Sequence, residues 1–176
     1  MGLSMSGCPS RAAAYVAVVG PGDATKEETD VARQVGRLLA ERDVILVCGG
    51  LAGVMEAACQ GASDRGGLTV GLLPGRDRAA GNPYLSVVLP TGMGELRNGL
   101  VAGVCDAIIA IGGSWGTLSE IALAMRIGKP VIMIGAWKIE PPVHERTRNL
   151  PRDANSPEEA VNDALRLAAR IESDRT

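Results

Sequence analysis

The sequence predicts an α/β fold, and three observations predict it. Apolar runs of β type alternate with segments that read as helices. The runs are apolar throughout rather than at every second residue, the mark of strands buried on both faces of a parallel sheet. Several of the 23 glycines cluster just where a run ends. Right-handed crossovers put every strand-to-helix loop at the carboxyl edge of such a sheet, where open α/β folds bind ligands. The predicted class is α/β, a single-domain Rossmann-like parallel sheet with helices on both faces.

The elements follow in order. Residues 1–14 read as a flexible tail and 15–176 as one ligand-binding domain. YVAVVG (15–20) is the first strand, and Thr25 with Glu28 makes a capping box that opens a helix through 42. VILVC (44–48) is the second strand, and GGLAGVMEAACQGASDRGG is a turn, a helix and a stop. LTVGLL (68–73) and SVVLP (86–90) are strands, GELRNGLVAGVC a weaker helix, and DAIIAI (106–111) the central strand. SEIALAMRIG is a helix stopped at Gly128 by Lys129 and Pro130, and PVIMIG (130–135) is the last strand. Residues 138–155 read as a polar, proline-rich loop. Pro157 in the first helical position and a second capping box, Ser156 with Glu159, open a helix over 157–172. Its apolar face is Val161, Ala164, Leu165, Ala168 and Ile171.

Composition narrows the function. With 176 residues, 46% of them apolar, the chain can bury a core. That core is aliphatic, because the aromatics are two Trp, two Tyr and no Phe. A net charge of −2 without a basic block argues against a nucleic-acid partner. No apolar stretch reaches the roughly 18 residues of a membrane span, since Asp106 and glycines break the best candidate. Cys8, Cys48, Cys59 and Cys105 form no CxxC pair, which reads as reduced thiols of a cytoplasmic protein. His144 is the sole histidine, so no histidine metal site is expected. Gly2 and Ser6 fit a loose myristoylation pattern, but the segment reads as a frayed tail.

Four glycine-bearing loops converge on the carboxyl edge: GPGDA (20–24), CGGLAG (48–53), PTGMGELRN (90–98) and GGSWGT (112–117). A helix N-terminus offers unpaired N–H groups and a positive dipole end, and glycine lets an anion approach the backbone. The candidate ligand contacts are Gly20, Gly22, Gly49, Gly50, Gly94, Gly113, Ser114, Gly116 and Thr117. GPGDAT lacks the third glycine of a dinucleotide fingerprint, and no G-K-[ST] is present, which disfavours nicotinamide cofactors and ATP hydrolysis.

Side chains add further candidates. Thr117 and Glu120 form a T-x-x-E capping box, so Glu120 reads either as a cap, the better local fit, or as a site carboxylate facing the crevice. Arg97 is a solvated surface arginine or a guanidinium aimed at the same crevice, with Glu95 and Asn98 as secondary candidates. Asp23 either caps the first helix or meets a polar ligand group. Trp115 reads as a stacking platform, a lid or a subunit contact, while Trp137, Tyr84 and Tyr15 carry no signal. Met93 and Met125 read as core.

These residues resemble the Lonely Guy superfamily, once mislabelled as lysine decarboxylases, over about residues 15–135. On the family's P-G-G-x-G-T-x-x-E motif, Gly113, Gly116, Thr117 and Glu120 match, while Gly112 replaces the proline and Ser114 the second glycine. Its G-G-G-x-x-G-L-M falls on Cys48 to Met55, and its G-G…V-x-G…P on Gly66, Gly67, Val70, Gly71 and Pro74. Its Arg-Lys pair falls on Arg97-Asn98, so the lysine is lost. The Lonely Guy enzymes release the base from nucleoside 5′-monophosphates. That resemblance implies a metal-independent phosphoribohydrolase in which the glycine loop holds phosphate and Arg97 and Glu120 serve the ribose and the bond broken. A second branch, similar to molybdenum cofactor carriers, is closer: Gly92 to Asn98 (GMGELRN) and Gly112 to Glu120 fit its pattern. It implies a cytosolic binding protein for a phosphorylated, nucleotide-like small molecule, with a molybdopterin-type ligand and no required cofactor. Either branch implies a homodimer or larger assembly. The carrier reading leads; the hydrolase is the alternative.

Overall fold

The computed structural model describes residues 14–138 and 150–173, with side chains through residue 170. The strands are β1 (Tyr15–Val19), β2 (Ile45–Cys48), β3 (Thr69–Leu73), β4 (Val87–Pro90), β5 (Ala107–Ile111), β6 (Val131–Ile134) and β7 (Arg152–Asp153). The helices are α1 (Lys26–Ala40), α2 (Val54–Ser63), α3 (Asn98–Val104), α4 (Trp115–Arg126) and α5 (Pro157–Ser173). All strands pair in parallel, in the order β4-β3-β2-β1-β5-β6-β7. The predicted α/β class is the observed one. The order reverses between β1 and β5, so the ligand crevice of such a sheet opens beyond the ends of those two strands.

The apolar runs behave as their composition requires. Val16 and Val18 face a core shared with α1, α2 and α5, while Ala17 and Val19 face a second core under α3 and α4. Ala107 through Ile111 are all at most 1% exposed, so both faces of β5 are covered. The α1–α2 contact depends on two glycines. A Cβ on Gly61 would run into the Arg33 carbonyl, and one on Gly36 into that of Ala58. Gly61→Ala should therefore destabilise the protein by about 2 kcal/mol through overpacking, although alanine is the better helix former by ~1 kcal/mol. Urea unfolding measures this, and an unchanged or raised midpoint would show that the helices part at no cost.

Several local expectations hold and several are corrected. The Thr25–Glu28 capping box forms: the Glu28 N–H donates to Thr25 Oγ1 (3.2 Å) and the Thr25 N–H to Glu28 Oε2 (2.8 Å). With Thr25 as the cap, Asp23 is left exposed and does not cap α1. Only half of the second box forms. Ser156 Oγ accepts the Glu159 N–H, but the Glu159 carboxylate turns to the Asn155 N–H (2.8 Å). The expected helix over GELRNGLVAGVC splits into a 3-10 turn, Gly94–Arg97, and α3. Met93, in the loop before that turn, is 43% exposed rather than core, whereas Met125 packs against the second core.

A seventh strand lies inside the segment read as loop. β7 has only two exposed residues and pairs with Ile132 and Met133. A two-residue polar edge strand has no apolar pattern by which to be read. On α5, Val161 and Ala164 are buried, and Leu165 and Ala168 pack against the first core. The Ile171 side chain, His144, Cys8, Gly2 and Ser6 lie outside the described residues. Cys48, Cys59 and Cys105 are free, buried thiols. A hydrogen bond to Cys48 and burial hold the Cys59 thiol well above its ordinary range, and burial pushes Cys105 up to about 11. No helix among the described residues is long and apolar enough to cross a membrane.

Candidate functional site

The four glycine loops follow β1, β2, β4 and β5 at the carboxyl edge of the sheet, and the structure separates their jobs. Gly20 lets β1 lie against β5, because a Cβ there would sit 2.6 Å from the Ile111 carbonyl oxygen. Gly53 has φ +69, and the Val54 N–H beside it donates to the Pro21 carbonyl (3.1 Å). Those contacts lock the first two loops together. Gly50 gives its N–H to Cys48 Sγ (3.3 Å) and packs on Gly71. Gly22, Gly94 and Gly116 have open space where a side chain would be, apart from Ser114 Oγ at 3.7 Å from Gly116. Gly49 makes room for one group: its missing Cβ would lie 2.5 to 2.7 Å from the Arg97 guanidinium.

The T-x-x-E box of the fourth loop does not form. Helix α4 starts at Trp115, and its cap is Ser114, whose Oγ accepts the Thr117 N–H (3.2 Å) and pairs with Thr117 Oγ1 (2.9 Å). Thr117 and Glu120 are therefore inside the helix, and the Glu120 carboxylate is not folded onto its own backbone. A local pattern could not choose, because two capping hydroxyls stand three residues apart and only packing shows where the helix begins. The first-turn N–H groups of Trp115 and Gly116 have no partner within the helix and lie at the positive end of its dipole. Gly112 adopts φ +64, and a Cβ there would strike the Glu28 carboxylate. Proline, held near φ −65°, could not take this place, which accounts for the departure from P-G-G.

Behind the turn lies a buried polar cluster. Arg97 and Glu120 are each 6% exposed. Arg97 Nη1 donates to Asn98 Oδ1 (3.0 Å) and to Glu120 Oε1 (3.3 Å). Asn98 Nδ2 donates to Ser119 Oγ (2.8 Å), which donates to the Gly116 carbonyl (2.7 Å) and so ties the cluster to the first turn of α4. The surface reading of Arg97 is thereby overturned: the 3-10 turn brings it inward over Gly49. Glu95, expected as a secondary candidate, is exposed. Its charge still acts at a distance. Burial pushes the Glu120 carboxyl up to about 7, Arg97 pulls it down, and Glu95 adds a small push.

Two features set this pair apart from a structural ion pair. It is held by one long hydrogen bond rather than a fork. Arg97 Nε is also buried without a partner, one of the few such atoms among the described residues. A buried donor of that kind calls for an acceptor. A carboxyl near 7 can hold or release a proton at neutral pH. No group of three or more metal-ligating side chains occurs among the described residues.

Two contributors lay outside the sequence reading. Ser119 carried no signal of its own, since its role depends on Asn98 coming across from α3. Trp137 follows β6, and the topology brings it to the carboxyl edge. It packs on Gly113, and its ring centroid lies 5.0 Å from that of Trp115.

The profile of the SLOG cluster4 family matches residues 13–161. An uncharacterized protein of Archaeoglobus fulgidus is 40% identical over 147 residues, 84% of this chain and 91% of that one. Among solved structures, the molybdenum cofactor binding protein of the phototrophic bacterium Rippkaea orientalis shares 32% identity and a TM-score of 0.78, covering 95% of this chain and 100% of that one. The molybdenum cofactor carrier protein of Chlamydomonas reinhardtii shares 30% identity and a TM-score of 0.79, covering 90% and 99%. These likenesses support a ligand-binding role.

Proposed function

The chain belongs to the SLOG cluster4 family, and on that premise we propose that it binds a phosphorylated, nucleotide-like small molecule, with a molybdopterin-type ligand as the leading candidate. The observation that carries the reading is the buried Arg97–Asn98–Glu120 cluster tied through Ser119 to the open N-terminal turn of α4. The N–H groups of that turn, with Ser114 and Thr117 hydroxyls, would take the phosphate. The orphaned Arg97 Nε would take a sugar or ring acceptor. Two neighbours of similar fold that are named as molybdenum cofactor proteins support this ligand class. A homo-oligomer is part of the proposal. Leu96, Leu100, Val104, Leu123 and Ile127, on and beside α3 and α4, are exposed and supply an apolar face for a second copy.

The second reading is the phosphoribohydrolase, and the Glu120 carboxyl near 7 favours it. N-glycosidic cleavage builds positive charge on the sugar; an ionised Glu120 would stabilise that charge and orient water. One experiment tests both. The purified protein is titrated with the pterin cofactor in a calorimeter, incubated with AMP while adenine and ribose 5-phosphate are assayed, and sized by light scattering. Saturable cofactor binding without base release is the expected outcome. Base release abolished by Glu120→Gln would replace the carrier by the hydrolase, and no binding of any phosphorylated ligand would sink both.

A further inference from the structure

We infer that Trp115 and Trp137 together form a stacking subsite for the planar heteroaromatic ring of the ligand, an inference that rests on the phosphate-binding reading of the α4 turn. These are the only two tryptophans of the chain. They come from the ends of neighbouring strands. Trp115 opens α4 just after β5, and Trp137 follows β6 across Gly135, whose φ of +58 turns the backbone there. Their rings meet at 5.0 Å and 54°, a tilted pair.

Burial singles out Trp115. The cores take every large aliphatic of β1 and β5, yet this ring is left 77% exposed. One side of it meets Trp137, and the rest is open. Trp137 in turn lies on Gly113, so closely that a Cβ on that residue would collide with its Nε1 and Cδ1. The glycine thus seats the indole against the turn that opens α4. A phosphate held there would bring an attached ring to the exposed tryptophan face. No charged side chain is needed, because every planar base or pterin has a π-face. The subsite should therefore select ring-bearing phosphates over bare sugar phosphates without reading which ring is present.

The test uses the full chain. AMP, GMP and ribose 5-phosphate are titrated by calorimetry, with intrinsic fluorescence reporting the tryptophan pair alone. AMP and GMP should quench the fluorescence and bind similarly, about tenfold more tightly than ribose 5-phosphate. Trp115→Ala should bring that ratio close to one, and Trp115→Phe should keep most of it. Ribose 5-phosphate binding as tightly as AMP in the unmodified protein would sink the subsite alone. So would a ring preference that survives Trp115→Ala while a dimer dissociates, which would make the tryptophan a subunit contact. If neither these three probes nor the pterin cofactor binds, the phosphate reading itself fails and takes the subsite with it, whereas cofactor binding without AMP or GMP binding sinks the ring-tolerant subsite alone.

Discussion

Replacing Arg97 with alanine is expected to cost about 3 kcal/mol of folding free energy at pH 8, the scale for removing one partner of a buried ion pair. Arg97 and Glu120 are both buried, and the guanidinium also fills the space over Gly49. Without it the Glu120 carboxylate would face the interior uncompensated. Glu120 has an escape that most buried carboxylates lack, because burial already pushes its carboxyl up to about 7 with Arg97 present. Loss of Arg97 removes the influence that pulls it down, so the carboxyl should stay protonated to higher pH. The penalty should shrink at pH 5 and persist at pH 8. The double variant Arg97→Ala/Glu120→Gln should recover part of the loss, since no charge is then left buried. Denaturant unfolding of the two single variants and the double at both pH values measures this, and strictly additive losses would falsify the coupling. Ligand binding should be lost in every Arg97 variant, including Arg97→Lys, which lacks the planar fork.

The second large effect is a pH dependence set by Glu120. Its carboxyl moves from 4.5 to about 7 on folding, chiefly by burial. Below pH ~4.5 both states hold the proton, and the side chain sits in the fold as a neutral acid at full stability. Between ~4.5 and ~7 the folded state holds a proton that the unfolded chain has shed, so stability falls as pH rises. Above ~7 the loss is complete, on the order of 3 kcal/mol. Glu120→Gln does not titrate. Its stability relative to the unmodified protein should therefore rise by most of that amount, about 2.5 kcal/mol, between pH 5 and pH 8. Parallel pH profiles for the two proteins would show that Glu120 titrates at an ordinary carboxylate value. Should turnover be found, the same titration sets its acid limb: the ionised form is the one that stabilises positive charge.

Local devices were legible wherever they depend on neighbours in sequence. The capping box at Thr25–Glu28 needs only residues within one turn, and it forms as read. The six longer strands declared themselves by unbroken apolar runs, and β7 did not, because two polar residues on an edge carry no pattern. The start of α4 was misread for a related reason. Ser114 and Thr117 are both competent caps, and local sequence cannot rank two hydroxyls that each offer an oxygen to an N–H. Arg97 and Glu120 were picked out by residue type and by the motifs around them, but their burial, their single long bond and the raised Glu120 carboxyl were not. Those properties come from α3 and α4 packing side by side over the second core.

The amino-acid sequence by itself determined the parallel α/β class, the glycine-rich loops at one edge and the residue types gathered there. These follow from hydrophobic period, turn chemistry and right-handed connection, all of which act over short stretches of chain. Only the tertiary structure decided which glycines space the backbone and which leave a cradle open. Only it turned Glu120 from its own helix cap toward Arg97, and set Trp137 on Gly113. Such choices depend on distances between residues far apart in the chain and on the exclusion of water from between them. No stretch of sequence encodes these until the sheet has brought its loops together.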